Sequence, residues 1–214
     1  MSILEQLSSS TGARGEQLEI ALAAQLATHP DPQAVADLVD GLTRGPDRLR
    51  GDCVKVLYEL GKLNPDAISA YAQQFLSLLR QKNNRLVWGG MIALATIAPR
   101  VPQFIFTASD EILRVMESGS VITRDAGVAA LAEAARTSAN YRDKLLPVLF
   151  DILRSCRPSS VAQYAEKIAV AVTDAKGVEF DAILQQRSVD LTPTQQKRVN
   201  TLSKKIRNSG KSHV

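Results

Sequence analysis

Residues 51–63 read Gly-Asp-Cys-Val-Lys-Val-Leu-Tyr-Glu-Leu-Gly-Lys-Leu, and their apolar pattern returns along the chain at intervals of 37 residues. One column of apolar residues contains Ile20, Leu57, Leu94, Leu131 and Ile168. The column three positions later contains Ala23, Leu60, Ile97, Ala134 and Ala171. Residues three apart lie on one face of a helix, so these columns predict an amphipathic helix A in each of five repeats.

A second group of apolar columns follows each helix A, after a break at Thr28, Pro65, Pro102, Ala139 and Lys176. These columns contain Val35, Ala72, Ser109, Leu146 and Ile183; Leu38, Phe75, Ile112 and Leu149; and Leu42, Leu79, Met116 and Leu153. Their spacing of three and four residues is again that of one helix face. Each repeat is therefore predicted to be helix A, a turn and helix B. Such a pair buries its apolar stripe only by stacking on neighbouring pairs.

The predicted fold is all-α: a right-handed α-solenoid, or superhelix, of about five antiparallel helix pairs in a single domain of residues 1–214. The repeats are expected at residues 15–44, 47–81, 84–118, 120–156 and 158–190. Thr192-Pro193 places an N-cap residue before a proline, which favours the start of a helix. We expect a C-terminal capping helix at residues 193–207 and a polar tail at residues 208–214.

Two segments, residues 51–63 and residues 123–135, resemble the first helix of a HEAT or armadillo-type repeat. The resemblance covers residues 15–190. It implies an interaction scaffold whose B helices line a concave surface. The first and fifth repeats match least well, since Gln186 and Asp190 occupy columns that are apolar in the middle repeats.

Composition and isolated residues argue against a catalytic or metal site. The two cysteines, Cys53 and Cys156, form no CxxC pair, and the two histidines, His29 and His213, have no partners in a recognisable motif. We therefore expect no cofactor, no metal and no enzymatic activity. The start of the sequence lacks the pattern of a secretory signal, and no long uncharged apolar stretch occurs, which predicts a cytoplasmic protein without a membrane span.

The formal net charge is +4, and it is unevenly distributed. From Pro193 onward there are six basic residues and no acidic ones, whereas residues 1–192 hold 20 basic and 22 acidic residues. Further cations lie in the turns between repeats: Arg44, Arg48, Arg50, Arg80, Lys82, Arg85, Arg154 and Arg157. Equivalent turns stack along one edge of a solenoid, so these residues predict an anion-binding edge for nucleic acid or another polyanion. Alternatively, the arginines solvate the loops and cap the C-termini of B helices.

The only tryptophan, Trp88, suggests one enzymatic alternative. The segment 84–94 resembles the tryptophan-bearing helix of HEAT-like alkylpurine DNA glycosylases, which implies lesion binding by an aromatic residue and a carboxylate. The sequence departs from that pattern, with Gly89-Gly90 in place of a basic pair and Ile92 where a carboxylate would share the face of Trp88. Alternatively, Trp88 packs between repeats or forms part of a binding surface.

The predicted function is a non-catalytic protein–protein interaction scaffold or adaptor that binds its partner on the concave B-helix face. The partner is expected to be a protein, a peptide or a second copy of the chain, with nucleic acid as the alternative. Helical phase and aromatic character single out the candidate partner-binding residues: Gln73, Gln74, Ser77, Glu111, Arg114, Asp151 and Trp88.

Overall fold

The computed structural model describes residues 2–209, and all regular secondary structure in this part of the chain is helical, without strands. The α-helices of the described residues are α1 Ser8–Thr11, α2 Gln17–Thr28, α3 Pro32–Arg44, α4 Asp47–Leu63, α5 Ala72–Leu78, α6 Asn84–Ile97, α7 Pro102–Thr107, α8 Ser109–Ser118, α9 Val121–Thr137, α10 Ala139–Ser155, α11 Pro158–Ile168, α12 Asp174–Ser188 and α13 Pro193–Ser209. The prediction of an all-α chain is confirmed. Residues 210–214 of the predicted tail, with His213, lie outside the described residues.

The chain divides into two compact units, Met1–Ala130 and Leu131–Val214, called unit 1 and unit 2 below. The division falls inside α9. In unit 1, α4 packs against α2, α3 and α6, and α6 also packs against α5. In unit 2, α13 packs against α11 and α12.

Short polar residues and prolines begin several of these helices. The Asp31 side chain accepts a hydrogen bond from the Ala34 N–H, and Pro32 occupies the first turn of α3. The side chains of Asn83 and Ser138 cap α6 and α10 in the same way. The Thr192 hydroxyl accepts a hydrogen bond from the Gln195 N–H at the start of α13. Each cap satisfies a backbone donor that has no partner within its own helix.

The core of unit 1 is made of the repeating apolar columns. Leu57, Leu60, Leu94 and Ile97 of the A helices are fully buried, as are Leu38, Phe75 and Ile112 of the B helices. Gly89 and Gly90 allow α6 to approach its neighbours closely. A Cβ atom on Gly90 would lie 2.8 Å from the Phe75 carbonyl oxygen, and one on Gly89 would lie 2.8 Å from a methyl group of Val54.

The first helix A departs from the 37-residue column. Ile20 is 40% exposed, whereas Leu22, Ala23 and Leu26 are buried. The inward position beside Ile20 is taken by Glu19, whose carboxylate binds the backbone N–H and the hydroxyl of Ser8. In α2 the predicted column residue Ala23 is therefore buried as expected, whereas Ile20 is not, and Glu19 takes the inward position one residue earlier.

The core of unit 2 is smaller and is closed by α13. The rings of Phe150 in α10 and Phe180 in α12 stack with centroids 5.7 Å apart. Val199 of α13 is buried, and Asp181 of α12 accepts hydrogen bonds from Ser203 and Arg207 of α13. Among the described residues, no helix combines the length and the apolar character needed to cross a membrane.

The shared column of Leu57 and Ile20 offers a matched pair of substitutions. Leu57→Ala removes a fully buried side chain and should lower the free energy of unfolding by about 2–5 kcal/mol. Ile20→Ala, at the partly exposed position, should cost less than about 1 kcal/mol. Urea denaturation followed by circular dichroism measures both values. Equal losses would show that Ile20 is as well packed as Leu57.

Candidate functional site

The B-helix face of unit 1, defined as the exposed and half-buried side chains of α3, α5 and α8 with Arg80 just beyond α5, holds most of the predicted partner-binding residues. Gln73 of α5 is exposed, whereas Gln74 and Ser77 are half-buried. The Ser77 hydroxyl donates to the Gln74 carbonyl oxygen over 2.6 Å. The side-chain oxygen of Gln74 is buried, and within the described part of the chain it has no hydrogen-bond partner. Gln73 is therefore the member of this trio that is presented to solvent.

An ion pair joins two residues that were predicted to serve different functions. Arg80, just beyond α5, donates two hydrogen bonds to the carboxylate of Glu111 in α8, over 2.7 Å and 2.8 Å. These bonds, together with the charge of nearby Arg114, hold the pKa of Glu111 below its usual range. Arg114 itself is exposed and makes no hydrogen bond or ion pair with any described residue. Glu111 and Arg80 neutralise each other, and Arg114 remains available.

Carboxylates outnumber cations on the B-helix face of unit 1. The acidic residues are Asp37, Asp40, Asp110, Glu111 and Glu117, and the basic ones are Arg44, Arg80 and Arg114. Asp40 pairs with Arg44 over 3.7 Å. The side chains of Asp110 and Glu117 are exposed and form no ion pair with a described residue. The face therefore carries a small excess of unneutralised negative charge.

Trp88 lies apart from the other predicted partner-binding residues. It belongs to α6, a helix A, and its half-buried ring meets Tyr58 of α4 edge-to-face with centroids 6.0 Å apart. The ammonium groups of Lys55 and Lys62 each lie 5.0 Å from the centre of the Tyr58 ring. The structure thus places Trp88 in an aromatic and cationic cluster between consecutive A helices.

Arg50, a predicted anion-binding residue, and Arg124, which was not in the predicted set, both cap the ends of B helices. Arg50 donates from Nε to the Leu42 carbonyl oxygen over 2.7 Å and from Nη2 to Gln81 over 3.1 Å. Arg124, at the equivalent position two repeats later, donates to the carbonyl oxygens of Met116 and Glu117 over 2.8 Å and 2.7 Å. A cation at these carbonyls also interacts favourably with the helix dipole.

Few of the other predicted anion-binding residues of unit 1 are free. Arg85 donates to the buried carboxylate of Asp52 over 3.1 Å. Only Arg48 and Lys82 of the predicted set in unit 1 are exposed and make no hydrogen bond or ion pair with a described residue. In this unit the predicted edge is therefore largely a network of internal contacts.

In unit 2, the predicted anion-binding and partner-binding residues are also partly engaged in hydrogen bonds and ion pairs. Arg154 pairs with Asp151 over 2.7 Å and with Glu179 over 3.1 Å, and Arg157 donates to the Ser160 hydroxyl over 3.1 Å. Asp151, predicted to bind a partner, is 75% exposed at its side chain. Arg187 caps the end of α10 through the carbonyl oxygens of Arg154 and Cys156. Sequence analysis missed Arg187 because it lies at the end of α12, outside the turns where the other arginines recur.

Among the described residues, the two cysteines and His29 have no arrangement suited to nucleophilic or metal chemistry. Burial, with the charge of Asp52, raises the pKa of Cys53 to about 12, and burial also raises the pKa of Cys156. Both thiols are therefore protonated near neutral pH and poorly nucleophilic. His29 lies in the exposed turn after α2. Within the described residues, no group of three or more histidine, cysteine, aspartate or glutamate side chains could hold a metal ion.

Comparison with solved structures identifies the fold. An engineered protein is 18% identical in sequence, with 98% of each chain covered and a TM-score of 0.65. A computationally designed armadillo repeat protein for modular peptide recognition is 16% identical, with 95% of this chain and 98% of that chain covered and a TM-score of 0.64. A designed armadillo repeat protein in complex with the peptide (KR)4 is 14% identical, with 95% and 97% covered and a TM-score of 0.66.

These similarities show an armadillo-type helical repeat fold, which confirms the resemblance found in the sequence. A scan of the sequence against protein-family models finds no match, and neither does a comparison with curated proteins. At such low identities the similarity concerns the fold alone.

Arg50 and Arg48 provide a test of the capping role. Arg50→Ala should lower the free energy of unfolding by about 1–3 kcal/mol, because it removes the charge-assisted hydrogen bond to the Leu42 carbonyl oxygen at the end of α3. Arg48→Ala, in the same turn but without a partner among the described residues, should change it by less than about 0.5 kcal/mol. Urea denaturation distinguishes the two. An equal effect of both substitutions would contradict the capping role.

Proposed function

We propose that this protein is a non-catalytic scaffold that binds an extended segment of a partner protein on the B-helix face of unit 1. The armadillo-type fold supports a binding function, because helical repeats present long, rigid surfaces. Two similar structures are designed armadillo repeat proteins, one intended for modular peptide recognition and one in complex with a peptide.

The observation that carries the proposal is the set of polar side chains on this face that no internal contact uses. Gln73, Asp110 and Arg114 are exposed on two B helices, and none of them bonds to another described residue through its side chain. The turn arginines, in contrast, are mostly engaged in caps and ion pairs. Polar groups on rigid helices are well placed to recognise the backbone and side chains of an extended segment.

The charge of this face favours a segment rich in lysine and arginine. Unit 1 holds 12 basic and 14 acidic residues, and Asp110 and Glu117 are exposed without a cationic partner among the described residues. Arginine and lysine side chains form their strongest hydrogen bonds with carboxylates. The peptide in the complex mentioned above, (KR)4, has this chemistry.

Peptide binding measured by fluorescence anisotropy tests the proposal. A labelled peptide of alternating lysine and arginine should bind more tightly than a glutamate–serine peptide of equal length. The triple substitution Asp37→Asn, Asp110→Asn and Glu117→Gln should raise the Kd for the lysine–arginine peptide by about tenfold, since each lost charge contributes a fraction of 1 kcal/mol. The control removes three exposed carboxylates of unit 2, with Asp143→Asn, Asp174→Asn and Asp190→Asn.

The control keeps the same change in net charge and should leave the Kd within about twofold of the wild-type value. Equal weakening by both triple variants would mean that net charge alone drives binding, and the proposed face would be rejected. Failure of both peptides to bind at low salt would reject an extended charged segment as the partner.

Polyanion binding is a second candidate function, and one observation in unit 2 favours it. This unit holds 14 basic and eight acidic residues. Lys197 and Lys204 are exposed on α13 and form no ion pair with a described residue. Clustered cations on one helix attract the phosphate backbone of a nucleic acid.

A salt titration of single-stranded DNA and RNA binding tests this second candidate. If α13 contacts phosphates, Lys197→Ala with Lys204→Ala should make the plot of log association constant against log salt concentration less steep. The magnitude of its negative slope should fall by roughly 1.4, about 0.7 for each lost contact. Arg14→Ala with Arg114→Ala, two exposed cations of unit 1 outside the predicted anion-binding set, serves as the charge-matched control and should leave the slope unchanged. Absence of binding at low salt rules out this function.

A further inference from the structure

A segment at the start of the described chain fills a groove in unit 1. Residues 2–11, called the strap, comprise a 3-10 turn at Ile3–Gln6 and α1, and they pack on α3 and α4. Ile3 and Leu7, four residues apart, are buried, and Leu7 is fully so. Leu4 lies over Gly41 of α3, where an added Cβ atom would be 3.4 Å from its methyl group. Apolar side chains thus anchor the strap in the groove.

Two buried carboxylates hold the strap by its backbone. Glu19 accepts hydrogen bonds from the backbone N–H and the hydroxyl of Ser8, over 2.9 Å and 3.1 Å. Asp52 accepts a hydrogen bond from the backbone N–H of Ser9 over 2.8 Å. Glu19 is 1% exposed and Asp52 is 4% exposed. The carboxylates satisfy two N–H groups at the start of α1, which have no acceptor within the helix.

The groove is unfavourable when empty. Without the strap, the Glu19 carboxylate would lose both hydrogen bonds from Ser8, and Asp52 would lose the one from Ser9. Leu7 would leave its fully buried position for water. Occupation of the groove by such a segment is therefore favoured over an empty groove.

The linker between the strap and α2 depends on two glycines. Gly12 and Gly15 have φ angles of 77° and 89°, and they are the only described residues with positive φ. A Cβ atom at either position would meet nothing within 4 Å, so the need for glycine comes from the backbone and not from crowding. Residues with a side chain are disfavoured in this conformation. The return of the strap to its own groove therefore relies on these two positions.

We propose that the strap is exchangeable between two copies of this chain, so that residues 2–11 of each copy fill the α3–α4 groove of the other. Every contact of the strap with Glu19, Asp52 and the groove is then reproduced, and the change is confined to the linker at residues 12–16. A second copy is the occupant that offers the identical anchors, Ile3 and Leu7, and the identical N–H groups. Exchange of an identical element is a low-cost route to a closed dimer. This proposal is independent of the proposed binding function.

The test makes the closed linker unfavourable while leaving the groove unchanged. Gly12→Val with Gly15→Val disfavours the positive φ angles of the monomer, and an exchanged linker is free to avoid them. Light scattering after gel filtration should show a dimer whose Kd is at least roughly tenfold below that of the wild type. Ala13→Val adds the same side chain to the linker but spares both glycines, and it should behave as the wild type does.

A linker deletion and an added substitution at Leu7 provide two further tests. Deletion of residues 13–15 shortens the linker without introducing a side chain, and it should also give a dimer. Adding Leu7→Asp to either variant should abolish the dimer, because the strap loses its fully buried anchor. A native circular dichroism spectrum with a monomeric mass in both linker variants would overturn the proposal. A dimer that survives Leu7→Asp, or a linker variant that unfolds without dimerising, would overturn it as well.

Discussion

The constraint on which this structure depends is that no helix pair can bury its own apolar stripe. An isolated helix A–helix B pair leaves a row of leucine, isoleucine and alanine side chains in water, and burial of these side chains is the main favourable contribution to folding. In unit 1 the solution is the packing of α4 against α2, α3 and α6. Leu57 and Leu60 are completely buried in this arrangement. Gly89 and Gly90 of α6 show how closely the neighbouring helices approach.

The same stacking determines what the charged residues do. It brings the first turn of α4 next to the end of α3, so that Arg50 reaches the Leu42 carbonyl oxygen of the preceding repeat and Gln81 at the end of its own repeat. Two repeats later, Arg124 likewise donates a hydrogen bond to the Met116 carbonyl oxygen at the end of a B helix. Most of the arginines that look like an anion-binding edge in the sequence are therefore engaged in internal contacts, whereas several B-helix side chains have no partner among the described residues. The stacking thus determines which polar groups remain without an internal partner.

The helical architecture was predictable, whereas the partners of the candidate residues were not. Periodic apolar columns, prolines and capping residues are local features of the sequence, and they mark helices without reference to the rest of the fold. Asp31 and Ser138, for example, cap α3 and α10. Ile20 departed from its column because Glu19 turns inward to bind Ser8, a contact with a segment that has no repeat pattern. Trp88 was grouped with the B-helix residues, but its packing on Tyr58 depends on the distance between two A helices.

The sequence by itself determined the helical class, the 37-residue period and the identity of most core residues, because these follow from the spacing of apolar side chains along each helix. Only the tertiary structure decided which cations are free, where Trp88 packs and what fills the α3–α4 groove. These outcomes depend on long or flexible groups that meet residues from other repeats. Arg80 and Glu111, for example, are 31 positions apart, and packing alone brings them within 2.7 Å.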